Sequence, residues 1–208
     1  MTFGKKKAMR MDNNAEHLLR LIKTYLSHFD DEHIVRFRAA LPDENHIKSL
    51  PLESHWLPVS EQIQHVGATA PQTSAIVSFI QMHANTFAWR QPYKTGQLPD
   101  EFLEGSAWFP IADRQGPFVF DQGLVEIMLL DRGVTYPRHH HEPEEMYLVL
   151  GGDVYWEANG MEGSPAWKRA GDCIYHPSHQ PHQLQAGADP VLILSLWRGG
   201  GFEMPNIH

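Results

Sequence analysis

At 208 residues the chain is long enough to bury one substantial core, as a single domain or as a domain with an extension. Its 17 Lys and Arg against 25 Asp and Glu leave a formal net charge of −8, which argues against a nucleic-acid or anionic-membrane partner. A lone cysteine, Cys173, excludes an internal disulfide and suits a reducing compartment, and no apolar stretch approaches the roughly 20 residues of a membrane helix. The expected setting is the cytoplasm, and Cys173 itself reads as a small buried strand residue.

The pattern changes near residue 95. Before it, Leu18, Leu19, Ile22, Tyr25, Leu26 and Phe29 recur at helical spacing, entered through Asp12-Asn13-Asn14 as caps. Ile34, Val35 and Phe37 predict a second short helix. Pro42, Pro51 and Pro58 interrupt the next stretch, and Ile76, Val77, Phe79, Ile80 and Met82 predict a helix over 72–89. Phe102 to Phe109 reads as a linker before the β region. From about Trp108 onward the period shortens to that of strands, with Val119, Val125–Leu130, Tyr147–Leu150, Val154–Glu157 and Val191–Trp197 as candidates. Gly151-Gly152-Asp153 and Asn159-Gly160 read as hairpin turns between them.

Chemistry concentrates between residues 133 and 182. In Gly133-Val-Thr-Tyr-Pro-Arg-His139-His140-His141 the outer two imidazoles are two residues apart, so a strand turns both to one face and His140 to the other. A short Glu-Pro-Glu turn then leads into Met146–Leu150, with Glu145 at the strand's mouth and Tyr147 on the same face as Glu145. Two histidines and a carboxylate thus converge, which is a donor set for a divalent metal. The chain has 14 histidines, and only here do spacing, strand period and flanking glycines agree. A second cluster comes later, in which Gly171-Asp172 reads as a turn, Cys173–Pro177 as a strand, and His182 lies just past it.

Together the two clusters resemble the paired motifs of the cupin superfamily. The first fits throughout, as Gly133, His139, His141, Glu145 and Gly152 at the expected intervals. In the second, Gly171, Pro177 and His182 match, whereas His179 stands where a glycine is usual and Ala186 where an asparagine is. The resemblance implies a mainly β fold, a single jelly-roll barrel over 96–208 with an N-terminal helical extension over 1–95. It also implies His139, His141, Glu145 and His182 as ligands of one divalent transition metal, with Zn, Fe(II), Mn, Co and Ni all admitted by the donor types. Cupins often pair through barrel edges, so the resemblance admits a homodimer.

A cupin barrel by itself does not define a reaction. Here the residues around the ligands are aromatic and phenolic: Tyr136, Tyr147, Tyr175 and Trp197. In the His-x-His-x-x-x-Glu-x-Tyr string from His139 to Tyr147, in Tyr136 and in Trp197, the chain resembles the cupin-type dimethylsulfoniopropionate (DMSP) lyases. That resemblance implies cleavage of DMSP to dimethyl sulfide and acrylate, a small-molecule carbon–sulfur elimination. Tyr147 is then the expected general base, and Tyr136 a second base or a donor to the substrate carboxylate. Tyr175 and Trp197 are expected to face the dimethylsulfonium with their π systems. Two other readings stand beside it: a cupin dioxygenase or isomerase, and a non-catalytic small-molecule-binding cupin.

Overall fold

The computed structural model describes residues 3–42, 52–67 and 69–208, with side chains from residue 14 onward. Four helices, α1 (Phe3–Leu26), α2 (Glu32–Ala40), α3 (Ser74–His83) and α4 (Asp100–Glu104), precede the first strand, and a 3-10 segment covers Pro58–His65. The strands are β1 (Ser106–Asp113), β2 (Phe118–Val119), β3 (Gly123–Leu130), β4 (Thr135–His140), β5 (Glu144–Gly151), β6 (Asp153–Ala158), β7 (Ala166–Arg169), β8 (Cys173–His176), β9 (His182–Ala186), β10 (Val191–Arg198) and β11 (Asn206–Ile207). They form a six-stranded sheet in the order β2-β1-β3-β10-β5-β8 and a five-stranded sheet in the order β11-β4-β9-β6-β7. This is a single cupin barrel of jelly-roll type with an N-terminal α-helical extension.

The six-stranded sheet is buried on both faces, and period-two alternation assigns each side chain. On β3, β10 and β5 one set (Val125, Ile127, Leu129, Leu192, Leu194, Leu196, Met146, Leu148, Leu150) packs with Leu18, Ile22, Ile34, Phe37, Ile76 and Ile80 of the helices. The alternate set (Met128, Leu130, Ile193, Val149, Tyr147) faces Val154, Leu184 and Ala186 of the other sheet. Covering both faces is why these strands read as almost unbroken apolar runs. It also makes the inward charged and polar members, Glu126 on β3, Glu145 on β5 and Ser195 on β10, costly unless partnered.

Several local expectations are corrected. Asp12-Asn13-Asn14 lie inside α1, not at its start, and Asn14 donates its side-chain N–H to Thr86 at 3.0 Å. The capping chemistry falls instead on Asp31, whose carboxylate accepts from the backbone of His33 and Ile34 at the start of α2. The helix expected over 72–89 ends at His83 and gives way to a 3-10 turn over Ala84–Thr86. Residues 102–109 are not a linker: they close α4 and enter β1, every residue of which is buried. Pro51 lies outside the described residues.

Gly152 is no hairpin turn either, because β5 and β6 belong to different sheets. It is a corner with φ of +78°, and a Cβ there would sit 2.6 Å from the carbonyl oxygen of Pro190. The Asn159-Gly160 pair does lie between two partners, β6 and β7, which are antiparallel. Among the described residues no helix is long and apolar enough to cross a membrane.

Candidate metal centre

Three strands deliver one cluster. His139 near the end of β4, His141 just past it, Glu145 in β5 and His182 opening β9 are all buried, and their ligand atoms lie within 4.8 Å of one another. Alternation places His140 on the outer side, where its Nδ1 is 2.7 Å from Nε2 of His208. β4 and β9 set His139 directly opposite His182.

The three histidines share one tautomer. Nδ1 of His139 lies 2.8 Å from the carbonyl oxygen of Pro137, that of His141 is 3.0 Å from Pro143, and that of His182 is 2.9 Å from Gln180. A carbonyl only accepts, so each Nδ1 carries a proton; Nε2 of His139 and of His182 turn lone pairs inward, while Nε2 of His141 is hydrogen-bonded to the Glu145 carboxylate. Nε2 of His139 and of His182 are buried and have no hydrogen-bond partner among the described residues. Unpaired buried acceptors are rare, and that of His182 lies 3.1 Å from Oε2 of Glu145, which is also 3.0 Å from Nε2 of His141. Three imidazole lone pairs and one carboxylate fit a divalent ion, and the donor set is the observation that says so.

Electrostatics differ between the imidazoles: burial lowers His141, but in the protein alone the Glu145 carboxylate outweighs it and raises His141 above its ordinary value. Burial and the neighbouring His182 push His139 well below the usual imidazole range, so it stays neutral and able to ligate. Burial would raise Glu145, but the imidazoles of His141, His176 and His182 outweigh it and hold the carboxyl well below its ordinary value. Its second oxygen is fixed by two donors, Ser195 Oγ at 2.9 Å and the indole N–H of Trp197 at 2.6 Å.

Tyr147 stands where alternation expects it, buried, with its ring edge-on to His176 and His182 at 5.3 and 5.8 Å. Tyr136 reaches the same side for a different reason. Three residues before His139, it belongs on the opposite face of a regular strand. The pairing of β4 with β9 runs Tyr136 to Leu184 and His139 to His182, three residues against two, which is a bulge that restores the face. Its ring stacks on His139 at 3.9 Å, and its hydroxyl is 2.5 Å from that of Tyr93. In the protein alone burial raises both phenols well above their ordinary value, and Glu145 adds to the rise at Tyr147.

Trp197 lies against the cluster, stacked on His141 at 4.2 Å, and lines an adjoining cavity. Tyr175 does not. It pairs with Met146 on the outward face of β5 and stacks on His33 of α2 at 3.8 Å, so the expectation that it meets the substrate is corrected. Its neighbour His176 has the inward parity. That ring stacks on His182 at 3.8 Å and accepts the Trp156 indole N–H at Nε2, 2.9 Å away. With Nε2 occupied, and with burial pushing the imidazole down to about 3, His176 is a neutral wall of the site and not a ligand. Within β8, Ile174 and His176 share one face and Cys173 and Tyr175 the other, and the pairing with β5 decides which is inward. Ser195 and Glu126 carry a signal in the sequence, each being the lone polar side chain at inward parity in an apolar run.

Fold and site define a cupin with a buried three-histidine, one-carboxylate centre. The model of the family described as dimethylsulfoniopropionate lyase matches residues 31–193, so the chain belongs to the DMSP lyase family. Dimethylsulfoniopropionate lyase DddQ of Ruegeria pomeroyi is 33% identical over 112 residues, which cover 53% of this chain and 54% of that protein. The chain therefore spans about half the length of the curated relative it matches. A structure solved in work on the DMSP lyases RdDddP and RnDddQII superposes with a TM-score of 0.83 at 24% identity, covering 95% of this chain and 99% of that one. The crystal structure of DddQ from Ruegeria pomeroyi DSS-3 superposes at 0.80 with 23% identity, over 94% and 96% of the two chains. At those identities the two structures speak for the fold.

Proposed function

We propose that this protein is a metal-dependent DMSP lyase, releasing dimethyl sulfide and acrylate. The observation that carries the reading is a buried phenol, Tyr147, beside four convergent ligand atoms in a chain of the DMSP lyase family. When bound at His139, His141, Glu145 and His182, a divalent ion supplies positive charge that stabilises a carboxylate substrate's developing enolate and lowers the pKa of adjacent acids.

The chain's own groups do the rest. Tyr147 takes the proton α to the carboxylate, the C–H pair becomes the C=C bond of acrylate, and the β C–S pair leaves with sulfur as neutral dimethyl sulfide. The leaving group needs no proton, so a single base suffices. Tyr136, with Tyr93 on its hydroxyl, orients the substrate carboxylate. Ser195 and Trp197 keep Glu145 in its ligating position. The buried aromatic wall excludes water from the carbanion-like state.

Zn, Fe(II), Mn, Co and Ni all suit the donor set, and a soluble cytoplasmic enzyme of small-molecule substrate belongs to the same reading. So does the division at residue 95 into helical extension and barrel, and a homodimer through barrel edges, which light scattering of the purified protein tests. Headspace gas chromatography after incubation of metal-loaded protein with DMSP tests the reaction. Dimethyl sulfide release that disappears on chelation is the expected result. No release with any of the five metals overturns the assignment, and oxygen uptake on a candidate substrate would support a dioxygenase instead.

A further inference from the structure

The cavity beside the metal cluster has a charged wall that the elimination, as described, does not use. Its volume is about 560 Å³. Tyr136 and Trp197, which stack on the ligands His139 and His141, form one side, and Arg90, Asp113 and Glu126 form another. Glu126 belongs to the inward row that runs across three strands through Ser195 to Tyr147. Two strand spacings put the Glu126 backbone about 10 Å from that of Tyr147, and both side chains project from the same face of the sheet.

The charges on this wall do not cancel. One guanidinium, Arg90, lies 2.8 Å from Asp113 Oδ2 and 3.4 Å from Glu126 Oε2, so two carboxylates share one cation. Asp113 is further engaged, its Oδ1 accepting from the backbone N–H of Gln115 and Gly116. Glu126 is not: only its Oε2 meets Arg90, and the side chain, 12% exposed, opens onto the cavity it lines. A carboxylate oxygen that opens onto a half-enclosed aromatic cavity attracts a group of opposite charge. Arg90, already shared between two anions, does not compete for a substrate carboxylate. Around the same space stand the rings of Tyr93, Trp108 and Trp197. Arg114 and Glu203 of the lining offset each other, so with Glu126 ionised the aromatic faces carry one net negative charge and suit a weakly hydrated cation that donates no hydrogen bonds.

The geometry points to Glu126, held by the Arg90–Asp113 pair, as the specificity-determining residue that seats the cationic end of a small onium zwitterion whose carboxylate end lies at the metal cluster. This deepens the lyase reading and rests on it for the identity of the substrate, though not for the chemistry of the cation. A sulfonium or quaternary ammonium a few bonds from a carboxylate fits. A primary ammonium, which must give up strong hydrogen bonds to water on entering an aromatic wall, fits worse.

The test uses trimethylsulfonium chloride, with binding to metal-loaded protein followed by tryptophan fluorescence at pH 8, since Trp108 and Trp197 line the wall. Acrylate binding is measured in parallel as a report on the metal end. We expect saturable trimethylsulfonium binding that weakens at least tenfold in Glu126→Gln, survives within threefold in Glu126→Asp, and leaves acrylate binding unchanged. With DMSP as substrate, KM rises at least tenfold in Glu126→Gln while kcat stays within threefold. Absence of trimethylsulfonium binding to the wild type, or equal binding by Glu126→Gln, overturns the inference. If Glu126→Gln loses acrylate as well, Glu126→Asp decides: retained sulfonium binding supports the site, and its loss with acrylate binding intact refutes it. A wild type that binds trimethylsulfonium through Glu126 but releases no dimethyl sulfide refutes the lyase assignment and leaves the cation site standing.

Discussion

The indole N–H of Trp197 lies 2.6 Å from Oε1 of Glu145, on the strand immediately beside it, so the tryptophan holds the carboxylate of the proposed metal centre through an edge and not only through a ring face. Trp197→Phe keeps a ring and deletes the donor. A loss of about 10- to 100-fold in metal affinity is expected, the size found when outer partners of ligands are removed. Competition with a fluorescent chelator measures it, and unchanged affinity would assign Trp197 to ring contacts alone.

Tyr147→Phe removes the hydroxyl of the proposed base and keeps its ring. We expect kcat for dimethyl sulfide release to fall by about 10²- to 10⁴-fold, the range of general-base contributions, with metal content unchanged by elemental analysis. A variant retaining more than a tenth of the activity would shift the base to Tyr136.

Tyr175 faces α2, stacked on His33 with Arg36 over its ring. Tyr175→Leu therefore leaves kcat/KM within about twofold but lowers stability by about 1 kcal/mol, the scale of an aromatic pair with a cation over it. Urea unfolding of the metal-free protein reads the second effect.

His179 adopts φ of +61° and is the one non-glycine residue with positive φ among the described residues. The turn that a glycine usually makes is thus kept by a histidine in the left-handed region, its backbone N–H donating to the His141 carbonyl at 2.8 Å. His179→Gly relieves about 1 kcal/mol of that conformational cost, offset in part by the entropy of a freer unfolded chain. A small rise in the urea midpoint is the expected outcome.

Burial, with Asp113 adding and Arg90 opposing, raises Glu126 from 4.5 to about 7. The folded state then holds a proton that the unfolded state has lost between those two values. Its contribution to stability is full below pH 4.5 and disappears as pH rises through 7. Over that window the wild type should lose up to about 3 kcal/mol more than Glu126→Gln, measured by urea unfolding in chelator at pH 5 and pH 8. Parallel pH profiles for the two proteins would refute this.

Much of the centre was legible because strand alternation is a local rule. It turned His139 and His141 inward, His140 outward, and put Tyr147 on the face of Glu145 without any knowledge of the partner strand. In β8 the same rule separates His176 from Tyr175, but only the pairing with β5 shows that His176 is the inward one. Tyr136 could not be placed this way, because its face depends on a bulge against β9 that only the pairing reveals.

The sequence by itself determined most of the helices and strands, the convergence of His139, His141 and Glu145, and the family resemblance that implied His182 as the fourth ligand, since these rest on spacing within a motif and on helical or two-residue period. Tertiary structure alone decided which residues from distant segments meet. Tyr93 and Arg90 come from the stretch before the barrel, Asp113 from β1, Glu126 from β3 and Ser195 from β10, and each reaches the cavity or the cluster through sheet order and helix packing. The physical reason is that local periodicity sets which face a side chain takes, whereas the order of strands across a sheet is set by packing summed over the whole chain.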